Sequence, residues 1–137
     1  MTGVEGVTTP STRILIVEDH PTMRGAMRLV LEGEGFVIDE AADGQRALEM
    51  MRADPPELVF LDMNMPGSSG AEVLTEVRAD PVTAGIRVIV ITADGEEGRQ
   101  RAIAAGADEY FTKPFSPITL LRTVEQVLSA PPRAPEA

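Results

Sequence analysis

The sequence predicts an α/β fold in which a parallel five-stranded sheet carries helices on both faces. One observation is the order of the chain: five short apolar runs alternate with amphipathic stretches, an alternation typical of strands joined by crossover helices. The other is the character of the runs. Residues 14–17 and 58–61 are apolar without a break, as strands are when helices cover both of their faces.

Five segments are predicted as strands. The first and fourth are rich in the β-branched residues that favour extended structure, and the third ends abruptly at Asp62. The fifth is short and runs into Lys113 and Pro114. The predicted strands cover residues 14–17, 36–41, 58–61, 88–91 and 110–111.

Five segments between these strands carry apolar residues at helical spacing. Asp43 and Ser69 are predicted N-terminal caps, since their side chains can accept hydrogen bonds from free backbone N–H groups. Gly106 is the predicted end of the fourth helix, and Pro55 and Pro81 follow the second and third. The helices are expected over 22–31, from 43 to before 55, from 69 to 80, over 96–105 and over 117–128.

Composition narrows the classes of function. Twelve Lys and Arg residues against 22 Asp and Glu residues leave a formal net charge of −10, which repels nucleic acid and anionic membranes. We therefore expect no direct contact with nucleic acid or membrane. Cysteine is absent, so disulfides and thiolate metal sites are excluded. Since neither a secretory signal nor an apolar run of roughly 20 residues is found, a cytoplasmic protein is expected.

The pattern divides the chain into one domain and two ends. Residues 1–12 are rich in Gly, Thr and Ser and are expected to be a disordered leader. Residues 130–137 are mostly Pro and Ala and are expected to be a flexible tail. The folded domain is expected over 13–129.

Polar residues follow four of the predicted strands. Glu18 and Asp19 follow the first, Asp62 the third, Thr92 the fourth and Lys113 the fifth. Ligands of open α/β sheets bind beyond the carboxyl ends of the strands, so these residues are expected to converge on one site.

The chemistry of this set favours phosphoryl transfer. Three clustered carboxylates repel one another unless a cation joins them, and oxygen ligands without cysteine favour Mg²⁺, with Mn²⁺ as an alternative. Asp62 can then act as a carboxylate nucleophile. The catalytic contributions expected of Lys113 and Thr92 are a positive charge and a hydroxyl donor for phosphoryl oxygens.

Four motifs carry a resemblance to a known family. They are Ile14-Leu15-Ile16-Val17-Glu18-Asp19, Leu61-Asp62-Met63-Asn64-Met65-Pro66-Gly67, Ile91-Thr92-Ala93 and Tyr110-Phe111-Thr112-Lys113-Pro114-Phe115. With its motifs in this order and spacing, the chain resembles the response regulator receiver domain of two-component signalling, and the chemotaxis regulators in particular. The resemblance covers the chain from Arg13 to Leu128. The resemblance implies a doubly wound, flavodoxin-like sheet with strand order 2-1-3-4-5.

The resemblance also implies a role for each residue of the acidic site. Asp62 becomes the phospho-acceptor. Asp19, Asp62 and the backbone carbonyl of Asn64 become direct ligands of the metal ion, and Glu18 acts through a metal-bound water. Lys113 contacts the phosphoryl group and precedes a peptide bond that is usually cis in this family.

A second set of implied roles concerns the response to phosphorylation. Thr92 and Tyr110 are the implied switch pair, in which the hydroxyl turns to the phosphoryl group and the ring follows it inward. The responding surface is the fourth helix, fifth strand and fifth helix. Asn64 and Asp94 flank the phosphoryl position and are expected to tune dephosphorylation.

The resemblance implies signalling partners rather than substrates. A sensor histidine kinase or phosphotransfer protein supplies the phosphoryl group, and a downstream protein or fused output domain responds. A dimer through the responding surface is a further expectation. The chain is not expected to be an enzyme beyond its self-catalysed phosphorylation and dephosphorylation. Since Arg122 is the only arginine of the fifth helix, a stand-alone receiver that acts by protein contact is favoured.

Several alternatives stay open. A receiver-like docking module that works without phosphorylation, an excised receiver of a DNA-binding regulator, and an aspartyl-phosphate hydrolase share parts of the pattern. The hydrolases typically carry a second Asp two residues after the nucleophile, where this chain has Asn64. A flavin-binding domain needs a phosphate loop after the first strand, where acidic residues stand instead. Of single residues, Tyr110 can be a static core aromatic, and His20 a loop residue at the rim.

Overall fold

The computed structural model describes residues 12–65, 67 and 69–131. Apart from Thr12, the expected leader lies outside the described residues, and so does the expected tail apart from Ala130 and Pro131. The domain boundaries therefore stay predictions.

All ten predicted elements are present. Where both ends of an element were predicted, the observed ends differ by no more than two residues. The strands are β1 Arg13–Val17, β2 Val37–Ala41, β3 Leu58–Asp62, β4 Arg87–Thr92 and β5 Glu109–Thr112. The helices are α1 Pro21–Gly33, α2 Gly44–Ala53, α3 Gly70–Ala79, α4 Gly95–Ala105 and α5 Pro117–Ser129.

The strands form one parallel sheet in the order β2-β1-β3-β4-β5. This confirms the fold class and the implied strand order. The sequential strands β1 and β2 pair, and the chain then crosses β1 to place β3 on its other side. The register sets Asp62 opposite Ile91 and Thr92 opposite Thr112. The carboxyl ends of β3, β4 and β5 therefore lie side by side.

Two apolar clusters cover the two faces of the sheet. On one face α1 and α5 pack on Ile14, Phe60 and Ile89. On the other face α2, α3 and α4 pack on Leu15 and Val59 together with the alternate residues of β4. Because successive side chains of a strand point to opposite faces, the unbroken apolar runs serve both clusters. The central strands carry no solvated face, as the sequence predicted.

Local signals fix the helix ends near the site. The Asp43 side chain accepts a hydrogen bond from the Arg46 N–H at 2.8 Å, and Ser69 forms a reciprocal capping box with Glu72. Gly106 ends α4 with a φ of 106°, a left-handed conformation that glycine adopts without a Cβ penalty. All three predicted helix ends are confirmed.

Apolar spacing in α5 predicts that its inward residues are Leu120, Leu121, Val124, Val127 and Leu128. Leu121 and Leu128 are only partly buried, although they pack against the core, whereas Thr123 is buried. The Thr123 hydroxyl donates to the Thr119 carbonyl at 2.7 Å, which satisfies it inside the helix. The Ser116 cap, whose side chain accepts from the Thr119 N–H, was not predicted.

Helix α3 starts directly against the end of β3. A Cβ built on Gly70 would lie 2.7 Å from the Asp62 carbonyl oxygen and 2.7 Å from Met63 Cα, so only glycine permits this approach. The close contact holds the end of β3 against the helix that follows. Among the described residues, no helix is both long and apolar enough to cross a membrane.

Candidate functional site

Three carboxylates meet at the carboxyl end of β1 and β3. One carboxylate oxygen from each of Glu18, Asp19 and Asp62 lies within 4.8 Å of the others. Glu18 and Asp62 are each only 1% exposed, while Asp19 is partly exposed. The sequence prediction that these residues converge is confirmed.

Lys113 brings the positive charge to this cluster from the end of β5. Its Nζ lies 3.2 Å from Asp62 Oδ2 and 3.6 Å from Glu18 Oε1. The Lys113 backbone N–H donates to the Thr92 carbonyl at 2.9 Å, which ties the β5–α5 loop to β4. The peptide bond between Lys113 and Pro114 is cis, as the resemblance implied.

The single lysine leaves the cluster short of positive charge. Burial raises the pKa of the Glu18 carboxyl to about 7, and repulsion from Asp62 adds to the rise. Glu18 Oε1 is buried and has no hydrogen-bond partner among the described residues. A buried carboxylate oxygen without a donor is costly, and a hard cation coordinated by oxygen atoms removes that cost. The residues present therefore fit a divalent metal ion such as Mg²⁺.

A bridge of hydrogen bonds runs from Asp62 to α4. The Asn64 N–H donates to Asp62 Oδ1 at 3.0 Å, and the Asn64 side-chain amide donates to Asp94 Oδ2 at 3.2 Å. Arg101 pairs with the same Asp94 oxygen at 2.6 Å. Asn64 and Asp94, which are expected to flank the phosphoryl position, are thus in contact, and Arg101 of α4 binds the Asp94 carboxylate.

Thr92 is fully buried at the end of β4. Its hydroxyl oxygen accepts a hydrogen bond from the Asp94 N–H at 3.0 Å and lies against Gly98 of α4. Tyr110 is partly buried and packs on the cluster under α2, α3 and α4. The guanidinium carbon of Arg99 lies 5.9 Å from the centre of the Tyr110 ring. The structure thus places the implied switch residues beside α4 and leaves their movement a prediction.

Basic residues of α1 form contacts with the acidic residues that follow β1 and with Glu40 of β2. Arg24 donates to the Glu18 carbonyl at 2.8 Å and to Glu40 Oε1 at 2.7 Å. Hydrogen bonds from Arg28 and Arg24 hold the pKa of Glu40 below its usual range. Arg24 therefore links β2, α1 and the backbone that carries the acidic pair.

A cleft of about 540 Å³ opens beside the acidic cluster. Its polar residues include Asp19 and Asp62, and its apolar residues include Met27 of α1, Phe115 of the β5–α5 loop and Leu120 of α5. His20 lies exposed at its rim, immediately before α1. The backbone N–H of His20 donates to Glu18 Oε2 at 3.2 Å, which confirms the interpretation of His20 as a loop residue.

Sequence reasoning missed three contributors to the site, namely Arg24, Gly98 and Arg101. A solvated position is the ordinary expectation for Arg101 on α4, and its side chain is indeed exposed while it pairs with Asp94. A signal existed for this contact, because Asp94 directly precedes α4 and residues seven positions apart lie on one side of a helix. The contact of Gly98 with Thr92 has no signal in the sequence, because it depends on how closely α4 approaches β4.

Comparisons with known proteins agree with this geometry. A family model for the response regulator receiver domain matches residues 14–125. The phosphate regulon transcriptional regulatory protein PhoB of Escherichia coli K12 is 39% identical over 117 residues, which are 85% of this chain and 51% of PhoB. The chemotaxis protein CheY of Halobacterium salinarum is 37% identical over 119 residues, which are 86% of this chain and 98% of CheY. This chain therefore spans about half the length of PhoB.

A solved structure shares both the fold and the type of site. The receiver domain of the sensor histidine kinase PA1611 from Pseudomonas aeruginosa PAO1 aligns with a TM-score of 0.81 and 26% identity, over 88% of this chain and 99% of that domain. It is described with a magnesium ion coordinated in its active site cleft. Receiver domains are signalling domains rather than classical enzymes, and they bind Mg²⁺ at an acidic site. The chain belongs to the response regulator receiver domain family of two-component signalling.

Proposed function

We propose that Asp62 of this chain accepts a phosphoryl group from a phosphohistidine of a sensor histidine kinase or phosphotransfer protein. The observation that carries the proposal is the contact between Lys113 Nζ and Asp62 Oδ2 at 3.2 Å inside a cluster of three carboxylates. A buried carboxylate with one cation beside it and two acids around it is poised to exchange these contacts for a phosphoryl group and a metal ion.

The metal ion would be held by Asp19, Asp62 and the Asn64 carbonyl, with Glu18 acting through a bound water. When bound, Mg²⁺ supplies positive charge to the phosphoryl oxygens during transfer; Mn²⁺ can take the same oxygen ligands. Glu18 Oε1 supports this assignment, because it is buried, has no hydrogen-bond partner among the described residues and has the Lys113 ammonium only at 3.6 Å.

The transfer itself is an in-line displacement at phosphorus. An Asp62 carboxylate oxygen attacks, the bond between phosphorus and the histidine nitrogen breaks, and its electron pair returns to the imidazole ring. Lys113 moves from pairing the Asp62 oxygen to pairing a phosphoryl oxygen, so its charge stays compensated throughout. The Thr92 hydroxyl donates to a second phosphoryl oxygen.

The signal would leave through α4, β5 and α5. The phosphoryl group carries about −1.5 to −2 charges in place of the single charge of the Asp62 carboxylate, and its oxygens attract the Thr92 hydroxyl out of its contact with Asp94. Tyr110 packs beside α4 and moves into the space that the Thr92 side chain leaves. The partly buried position of Tyr110, with the guanidinium of Arg99 5.9 Å from the centre of its ring, supports such a movement.

The proposed output is control of a protein partner in the cytoplasm, by a stand-alone receiver or by a fused output domain. A dimer through the surface of α4, β5 and α5 is one form that this control can take. Asn64 and Asp94 would set the lifetime of the phosphoryl group, because their side chains meet at the mouth of the site.

Incubation with Mg²⁺ and a small phosphodonor tests the proposal. We expect one phosphoryl group per chain, located at Asp62 by peptide mapping and absent from Asp62→Asn. Rapid phosphate release with turnover and no accumulation of phosphorylated Asp62 would indicate a hydrolase, and no modification would indicate a docking module that works without phosphorylation. Asp43→Asn is the matched control, because Asp43 caps α2 and lies outside the acidic cluster.

A further inference from the structure

Gly98 lies against the side chain of Thr92. A Cβ built on Gly98 would lie 2.9 Å from Thr92 Cγ2 and 3.0 Å from Thr92 Cβ, and it would overlap with Thr92 Oγ1. Atoms packed at van der Waals contact do not approach so closely. In this structure the Thr92 hydroxyl therefore occupies the space that any side chain at position 98 would need.

The backbone of α4 gives no other reason for a glycine here. Gly98 is the fourth residue of the helix and is buried. The described glycines with positive φ are Gly35, Gly67, Gly95 and Gly106, so Gly98 has an ordinary helical conformation. Glycine destabilises a helix interior relative to alanine. What position 98 gains from glycine is room for Thr92.

Among the residues that the structure describes, one hydrogen bond to the Thr92 hydroxyl oxygen is found: the Asp94 N–H donates to it at 3.0 Å. On the side of α4, position 98 offers no Cβ that would displace it. Thr92 follows Ile91, the residue that lies opposite Asp62 in the sheet. Because the Thr92 backbone is part of β4, its hydroxyl can leave Gly98 by rotation of the side chain about the Cα–Cβ bond.

We propose that Gly98 is a positioning residue that sets the resting orientation of Thr92. Its missing side chain provides the place that the hydroxyl occupies while Asp62 is unmodified, and a side chain there would drive the hydroxyl out. The inference rests on the proposed function, in which the same hydroxyl turns to the phosphoryl group. Gly98 thus weights the equilibrium between the two orientations toward the resting one.

Gly98→Ala should shift that equilibrium. The new Cβ excludes the resting orientation of the Thr92 hydroxyl. Rotation leaves Thr92 Cβ in place, so the remaining 3.0 Å contact is relieved by a shift of a few tenths of an ångström, and the hydroxyl is left to occupy the orientation that binds the phosphoryl group. The apparent dissociation constant of a ligand falls when its binding-competent form becomes more populated. We expect the dissociation constant for beryllofluoride, a phosphoryl mimic, to fall by roughly five- to tenfold with Mg²⁺ present.

Gly25→Ala is the matched control. Gly25 lies in α1, and a Cβ built on it meets nothing within 4 Å. Both substitutions favour helix formation, but only Gly98→Ala touches Thr92. Gly25→Ala should leave beryllofluoride affinity unchanged. The gain from Gly98→Ala should also disappear in a Thr92→Ala background, where the hydroxyl and methyl groups that meet the new Cβ are gone.

The outcomes separate this inference from the proposed function. A folded Gly98→Ala variant with unchanged or weaker affinity overturns the role of Gly98, and so does a gain that persists without the Thr92 side chain. If Gly98→Ala does not fold, the substitution is made in a Thr92→Ser background, where the methyl group at 2.9 Å is absent. If the double variant then binds beryllofluoride no more tightly than Thr92→Ser alone, the role of Gly98 is overturned. Failure of the unaltered protein to bind beryllofluoride instead sinks the proposed function.

Discussion

Lys113 Nζ lies 3.2 Å from Asp62 Oδ2, although 51 positions separate the two residues in the sequence. The parallel order of β3, β4 and β5 brings them together, because Asp62 is the last residue of β3 and Lys113 directly follows the last residue of β5. The contact neutralises part of a buried acidic cluster. It also sets a positive charge where a phosphoryl oxygen is expected to sit.

Lys113→Ala should slow phosphorylation of Asp62 by a small phosphodonor about 10²-fold, because a charge aimed at the transferred group is lost. The initial rate of phosphoryl incorporation measures this. Lys113→Arg keeps the charge but changes its geometry. Its phosphorylation rate should lie between those of the unaltered protein and Lys113→Ala. Lys113 is the only lysine of the chain, so no other lysine can replace it. A wild-type rate in Lys113→Ala contradicts the assigned role.

The raised pKa of Glu18 makes stability depend on pH. In metal-free buffer the folded protein holds a proton on Glu18 up to about pH 7, whereas the unfolded chain releases it near the ordinary value of 4.5. Because the folded state binds more protons in that window, the free energy of unfolding should fall as the pH rises from 4.5 through 7, by up to about 3 kcal/mol.

Urea unfolding at several pH values measures this dependence. Glu18→Gln should flatten the slope, because the glutamine cannot titrate, and it should be the more stable protein at pH 8 without metal. Mg²⁺ should restore stability to the unaltered protein at pH 8 and much less to Glu18→Gln. Equal slopes for the two proteins in metal-free buffer would rule out the raised pKa.

The bridge from Asn64 through Asp94 to Arg101 should influence the lifetime of the phosphoryl group. Asp94→Ala removes the carboxylate that holds the Asn64 amide, and the dephosphorylation rate of the isolated phosphoprotein should change. Arg101→Ala should change it in the same direction, because Arg101 positions that carboxylate. The double variant should show less than the sum of the two effects, since both act through one contact.

Arg46→Ala provides the control for the loss of a surface arginine, since Arg46 pairs with Glu49 on α2. It should leave the dephosphorylation rate unchanged. Identical rates for Asp94→Ala and the unaltered phosphoprotein would exclude a role for Asp94. Strict additivity of Asp94→Ala and Arg101→Ala would mean that Arg101 acts on something else.

Local patterns in the sequence predicted the helices and strands and the convergence of the polar residues at the strand ends, whereas the strand order was implied by the resemblance to the receiver family. Unbroken apolar runs identify strands that are buried on both faces, and capping residues such as Asp43 and Ser69 mark helix starts within a few positions. The sheet topology then gathers the strand ends, so Asp62 and Lys113 meet without any long-range signal in the sequence itself.

What the sequence could not predict depends on distances between packed elements. The approach of α4 to β4 decides whether a Cβ at position 98 overlaps with Thr92, and no periodicity reports that distance. The prediction for the inward side of α5 was partly wrong for a similar reason. Thr123 can be buried because its hydroxyl bonds within the helix, whereas Leu121 and Leu128 lie at the margin of the core. The partial exposure of Asp19 likewise follows from its place after the end of β1.

A crystal structure with Mg²⁺ and beryllofluoride tests the central claim most directly. The account predicts a metal ion between Asp19, Asp62 and the Asn64 carbonyl, beryllofluoride on an Asp62 carboxylate oxygen, and Lys113 and Thr92 each in contact with a fluorine atom. Beryllofluoride bound to another residue, or a metal ion held away from Asp19 and Asp62, would contradict it.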